Sequence, residues 1–176
     1  MQLDLGCCGV RSFRDSDAPE LARLANNRKV WLQLRDRFPH PYTLDDARKF
    51  IALALGETPE TMFAVTVNDA SVGSIGVVLR DDVEHCSGEV GYWLGEPYWG
   101  RGVATRALTG FTRFAFAAYD LERLYAVPFA SNSASCRVLQ KAGYRLEGRM
   151  RRSAIKAGTV QDQFLYAILR GDGATE

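Results

Sequence analysis

No apolar run in this chain reaches the roughly 18 residues that a membrane-spanning helix needs. The opening Met1-Gln2-Leu3-Asp4 also lacks the basic-then-apolar layout of a secretion signal. Histidine is scarce, and the two present, His40 and His85, lie far apart. The four cysteines, Cys7, Cys8, Cys86 and Cys136, form no C-x-x-C pair, so no zinc centre is expected and a reducing cytosol suits them. Cys136 beside Ser135 has no histidine close in sequence to activate it and is read as packing. An excess of either charge is missing too: 22 basic against 21 acidic residues give a net charge of +1. No global field therefore draws the chain to nucleic acid or to an anionic membrane. At 47% apolar and 24% charged, the composition suits neither disorder nor a coiled coil. Without repeat, low-complexity tract or linker, the 176 residues read as a single cytoplasmic domain, 1–176, monomeric or homodimeric, with no metal.

What the chain does have is the stretch Glu96-Pro97-Tyr98-Trp99-Gly100-Arg101-Gly102-Val103-Ala104-Thr105. It follows a strand-like apolar run and opens into a helical pattern through Val103, Ala107, Phe111, Phe114 and Ala118. Gly100 and Gly102 remove side-chain bulk where the chain turns, so backbone N–H groups can approach an anion. A helix start adds unpaired N–H groups and a positive dipole end. The turn therefore reads as a pyrophosphate cradle. It lacks the lysine of a P-loop, which argues against NTP hydrolysis. It half-matches the dinucleotide fingerprint, but Asp120 precedes the next strand-like run, where a ribose-binding acid would belong at that strand's far end.

A second segment, Asn132-Ser133-Ala134-Ser135-Cys136-Arg137-Val138-Leu139-Gln140-Lys141-Ala142-Gly143, reads as a helix with Asn132 as N-cap and Gly143 just past its end. Together, in this order, the two segments resemble the GNAT superfamily of acyl-CoA-dependent N-acyltransferases. Trp99-Gly100-Arg101-Gly102-Val103-Ala104 is similar to its motif [QR]-x-x-G-x-[GA], with Trp99 in the first place. The wording Tyr-Trp-Gly-Arg-Gly-Val-Ala-Thr resembles the Rim-type ribosomal-protein N-terminal acetyltransferase branch. Glu147-Gly148, Asp162 and the final run Phe164–Leu169 match the family's ending, with Asp162 read as structural.

The remaining elements follow from local signals. Gly9 to Arg14 reads as a strand, and Asp17 with Glu20 as a capping box before a helix. Thr43 and Asp46 repeat that signal for a helix ending at Gly56. Met62 to Val67 and Val72 to Leu79 read as a hairpin across Asn68-Asp69. Strands follow at Glu89 to Leu94, Arg123 to Phe129, from Tyr144, and at the end. The expected class is α/β (α+β): a mixed twisted sheet of six to seven strands with about four helices. The resemblance, covering about residues 9–170, implies a splayed, V-shaped acyl-CoA cleft between the strand before the glycine turn and the strand after its helix.

The resemblance also implies chemistry. Acetyl-CoA is the co-substrate and an amine the acceptor. Gly100, Arg101, Gly102, Val103, Ala104 and Thr105 would take the pyrophosphate, Asn132 the pantetheine arm, and the backbone around Trp93 and Leu94 the thioester carbonyl. Glu89 is the expected general base, ahead of Glu84 and His85. Where many relatives carry a proton-donating tyrosine this chain has Leu139. Ser135, four residues earlier on the same helical face, is the expected stand-in. Phe38 and Tyr42, in a Pro-containing loop, would wall the acceptor pocket. The acceptor stays open among a protein or peptide N-terminus, an amino-acid or antibiotic amine, and a polyamine. A non-catalytic acyl-CoA sensor is the rival from another class.

Overall fold

The computed structural model describes residues 1–172. The chain divides into two compact units: Met1–Gly76 with Tyr92–Ala107, and Val77–Gly91 with Leu108 onward.

The first unit begins with β1 (Gln2–Asp4) and β2 (Gly9–Arg11), followed by α1 (Ala18–Ala25), α2 (Arg28–Trp31) and α3 (Leu44–Gly56). β3 (Met62–Val67) and β4 (Ala70–Leu79) complete an antiparallel run of neighbours. Asn68 and Asp69 both adopt positive φ, 49° and 63°, which is the two-residue turn that a right-twisted hairpin requires. Thr43 caps α3 in a reciprocal box with Asp46. The helices bury Leu21, Ala25, Ala47, Ile51 and Ala54 with Phe13 and Ala64. That apolar stripe against a sheet face is what holds two short helices in place.

β5 (Ser87–Leu94) and α4 (Val103–Ala118) run through both units, as does β4. The second unit adds β6 (Arg123–Ala126), α5 (Ser133–Lys141), β7 (Arg145–Lys156) and β8 (Thr159–Leu169). β6 pairs parallel with β5 and antiparallel with β8, which pairs antiparallel with β7. Leu108, Phe111, Leu121, Leu124 and Leu139 are at most 1% exposed in its interior. Gly88 has no room for more: a Cβ there would lie 2.6 Å from Val77. The mixed sheet has the order β1-β2-β3-β4-β5-β6-β8-β7.

The structure corrects several sequence expectations. It has eight strands and five helices among the described residues, not six to seven and four. The additions, β1 with three residues and α2 with four, are too short to show a period. Asp17 does not cap with Glu20; its carboxylate accepts the Arg14 N–H at 2.8 Å, one turn earlier. The first strand stops at Arg11, and β6 stops at Ala126, with Phe129 making an isolated bridge to Gln163. The inner stripe of α4 runs through Leu108 and Ala115, whereas Ala118 is exposed.

Candidate active site

Only three residue pairs join β5 to β6: Ser87 with Arg123, Gly88 with Leu124, and Glu89 with Tyr125. The ladder ends at the last of these, and β5 continues from Val90 without a β6 partner. Alternation puts Gly88 and Leu124 on the packed face, so Glu89 and Tyr125 share the other face. Gly91, two residues on, is exposed, and a Cβ there would meet nothing within 4 Å. The end of the ladder is therefore open on the Glu89 face.

Glu89 does not stand alone. Arg80, just past β4, donates from Nη2 to Glu89 Oε2 at 2.6 Å and from Nε to the Tyr125 hydroxyl at 2.7 Å. The Tyr125 hydrogen bond first, and then the nearby Tyr125 and Glu89 charges, push the guanidinium's pKa up against the opposing effect of burial. Arg123 lies 5.8 Å from the Tyr125 ring and is itself paired with Glu147. Its guanidinium holds Glu147 below the usual carboxylate range. Arg80 and Tyr125 belong to no sequence motif and were not anticipated. The alternative bases, Glu84 and His85, sit at an exposed single-turn segment, where His85 Nδ1 lies 2.7 Å from the Asp82 carbonyl.

On α5, Asn132 uses its side-chain oxygen to accept the Ser135 N–H at 3.0 Å, so the expected N-cap is formed. Gly143, at φ 92°, ends the segment as expected. Ser135 is half-buried, but Leu139 is 0% exposed. The shared helical face assumed for the pair is therefore divided: its Leu139 end belongs to the core. Cys136 is also buried, and burial pushes its thiol up, in keeping with packing. Asp162 accepts the Arg152 N–H and Arg149 Nε, both at 2.7 Å, where β7 bulges and Arg152 adopts φ 52°. It is structural, as its sequence context suggested.

The first unit carries the remaining candidates. Gly100 and Gly102 adopt φ 73° and 78°, conformations that L side chains rarely take. A Cβ on either would meet nothing within 4 Å, so the outside of the turn is open. Gly102 immediately precedes α4, its carbonyl accepting from the Arg106 N–H at 3.1 Å. Trp99 bridges the turn by donating Nε1–H to the Leu94 carbonyl at 2.8 Å. Arg101 is exposed, 5.9 Å from the Tyr98 ring. Gly73 lets β4 approach closely at Trp93: a Cβ on it would fall 2.1 Å from the Trp93 carbonyl.

Phe38 packs on both Tyr42 (4.7 Å between ring centroids) and Trp93 (5.5 Å). Tyr42, however, is 6% exposed in the core cluster, and burial pushes its hydroxyl up to about 12. It supports Phe38 rather than lining open space itself. Phe38 and Trp93 are half-buried.

Residues 9–145 match the acetyltransferase (GNAT) domain family. The chain belongs to the GNAT acetyltransferase family. GNAT acetyltransferases use acetyl-CoA. The uncharacterized N-acetyltransferase YoaA of Bacillus subtilis (strain 168) is 33% identical over 99 residues, 56% of this chain and 55% of the relative. This chain thus spans about half the length of that relative. A ribosomal-protein-serine acetyltransferase of Escherichia coli (strain K12) is 26% identical over 162 residues, 90% of each chain. Among solved structures, Mycobacterium smegmatis RimJ in complex with CoA-disulfide shares the fold, with a TM-score of 0.86 and 23% identity over 100% of this chain and 89% of that one. The GNAT fold is thus reached both from the motifs and from the whole chain. No helix of the described residues is long and apolar enough to cross a membrane. Nor do the described residues gather three or more His, Cys, Asp or Glu side chains able to hold a metal.

Proposed function

We propose that the chain acts as a single domain, an acetyl-CoA-dependent N-acetyltransferase that transfers acetyl directly to a primary amine. The observation that carries this reading is the pair of glycines at positive φ, open outwards and feeding a 16-residue helix. Its N–H groups and dipole suit a pyrophosphate. Gly100, Gly102 and the N–H groups of Val103, Ala104 and Thr105 hold that group, Arg101 assists from the surface, and Asn132 meets the pantetheine arm. Backbone around Trp93 and Leu94 polarises the acyl carbonyl. Phe38 walls the acceptor side, with Tyr42 behind it.

In the transfer, the neutral amine's electron pair forms the carbon–nitrogen bond, and the carbon–sulfur pair leaves with sulfur. Glu89 takes the proton that the amine releases, and Ser135 gives its hydroxyl proton to the departing sulfur. Solvent returns Ser135 and Glu89 to their starting forms, leaving an amide and a free thiol. The acceptor favoured is a peptide or protein α-amine. The motif wording of the glycine turn and the ribosomal-protein-serine acetyltransferase among its relatives both support that choice. A reducing cytosol suits the four free cysteines.

The test is a titration with acetyl-CoA followed by thiol release measured against N-terminal peptides, amino acids and polyamines. The reading expects release with peptides above all. Turnover only with small amines changes the acceptor. Binding without turnover on any amine makes the chain a sensor.

A further inference from the structure

The proposed base needs its carboxylate held in one orientation, and the residue that does this lies in no motif. We infer that Arg80 is a positioning residue for Glu89, with Tyr125 as the strut that fixes Arg80. This rests on the acetyltransferase reading above.

Three observations lead here. First, Glu89 and Tyr125 are the last registered pair of the β5–β6 ladder, so both sit where strand pairing stops and the face opens beside Gly91. Second, one guanidinium bonds to both, at 2.6 Å and 2.7 Å. The nitrogens used, Nη2 and Nε, lie on one edge of a rigid planar fork, so fixing the phenol end fixes the carboxylate end. Third, Tyr125 is braced in turn by Arg123, which Glu147 holds from β7. The line of contacts behind Glu89 thus runs from Arg80 at the end of β4 to Tyr125 on β6 and, through Arg123, to Glu147 on β7. Glu84 adds negative charge near Arg80 from the turn before β5.

The chain Glu147–Arg123–Tyr125–Arg80–Glu89 has no evident need of such precision for stability. Arg80 is 34% exposed and Glu89 19% exposed, so the pair is part-buried and joined by one contact, short of the sealed, fully bonded pairs whose loss is most costly to folding. A base, by contrast, loses rate steeply when its oxygen is displaced from the proton it must take. Tyr125 contributes position only, so no proton passes through it in this assignment.

The experiment compares Arg80→Gln, Arg80→Lys and Tyr125→Phe, alone and in a Glu89→Gln background. Three quantities are read: kcat and KM for a peptide amine, the acetyl-CoA dissociation constant by calorimetry, and the urea midpoint. Arg80→Gln should lower kcat about tenfold or more and leave the acetyl-CoA constant within about threefold. Arg80→Lys should recover part of the rate, since it keeps the charge but not the fork. Tyr125→Phe should cost a few-fold. In the Glu89→Gln background Arg80→Gln should add almost nothing, because its effect passes through the missing carboxylate. Without any substrate, the urea midpoints of Arg80→Gln, Tyr125→Phe and the double variant should be non-additive, reporting their contact.

Unchanged kcat in folded Arg80→Gln overturns the inference. So does an equal fall in both backgrounds, or strictly additive midpoints. If wild type binds no acetyl-CoA, both the acetyltransferase reading and this assignment fall. If wild type turns over and only Arg80 proves silent, the reading stands and the assignment alone is lost.

Discussion

Two arginine–carboxylate pairs in this molecule use the same chemistry for opposite ends. Arg11 and Asp17 meet fork to fork, with two contacts of 2.8 Å, and their side chains are 7% and 6% exposed. The other Arg11 donors go to the Ser12 carbonyl and to Asp69, backbone and side chain, so all five N–H groups are used. The pair ties β2, the start of α1 and the β3–β4 turn together. Arg80 and Glu89 meet through a single contact, half-open to solvent, with a tyrosine as the second partner. Satisfaction and burial mark a group that the fold consumes; partial exposure at the end of a ladder marks one that the fold displays. Arg–carboxylate pairing alone does not distinguish the two.

The sharpest way to break this contrast is to cut one side of each pair. Asp17→Ala leaves a buried guanidinium with only the exposed Asp69 carboxylate as counter-charge, which costs up to about 3–5 kcal/mol of stability and is read by urea denaturation. Glu89→Gln should shift stability by less than about 1 kcal/mol, yet lower kcat by about 10²-fold. If instead Glu89→Gln unfolds the protein while turning over normally per folded molecule, the contrast is wrong.

Leu139 and Ser135 sharpen the same distinction on one helix. Leu139 is consumed by the core, so Leu139→Tyr should overpack it and cost about 1–3 kcal/mol, without acquiring a catalytic role. Thermal denaturation reads the first effect and thiol release the second. Ser135→Ala should lower kcat by about tenfold, ~1.4 kcal/mol, with the acetyl-CoA dissociation constant nearly unchanged. A drop in cofactor affinity with normal turnover would make Ser135 a binding residue and water the acid.

Tyr42 gives the contrast a pH dependence. Burial, and then Asp46, raise its hydroxyl from an ordinary 10.0 to about 12. The folded protein therefore keeps the neutral phenol while the unfolded chain loses its proton. Its stabilising contribution is complete below pH 10 and is lost as pH rises through about 12. Tyr42→Phe has no such proton to lose, so its urea midpoint should fall less than that of wild type across this window. Equal falls would place the Tyr42 hydroxyl in solvent.

Much of the fold and part of the site were legible because they are local. Asn68-Asp69, Thr43 with Asp46, and Asn132 with Gly143 each encode a turn or cap within four to twelve residues, and each forms. Gly100 and Gly102 are local too: their φ values follow from a turn that bulkier residues resist. Arg80 and Tyr125 were not legible. Their meeting depends on β4, β5 and β6 lying side by side, with Glu89 opposite Tyr125. No spacing within the chain states that register. The sharing of α5 between core and surface was also hidden, because Leu139 suits both an apolar core and a substituted catalytic position. β1 and α2 escaped for a simpler reason: three and four residues carry no measurable period.

Acetyl-CoA binding at the glycine turn is the claim on which every catalytic expectation depends. Its most direct test is calorimetric titration of wild type and Gly102→Val with acetyl-CoA. Valine at φ 78° strains the turn and puts a branched side chain where nothing of the protein now stands within 4 Å. Wild type should bind, and a folded Gly102→Val should bind at least about tenfold more weakly, ~1.4 kcal/mol. Equal affinity in the two proteins would contradict the claim.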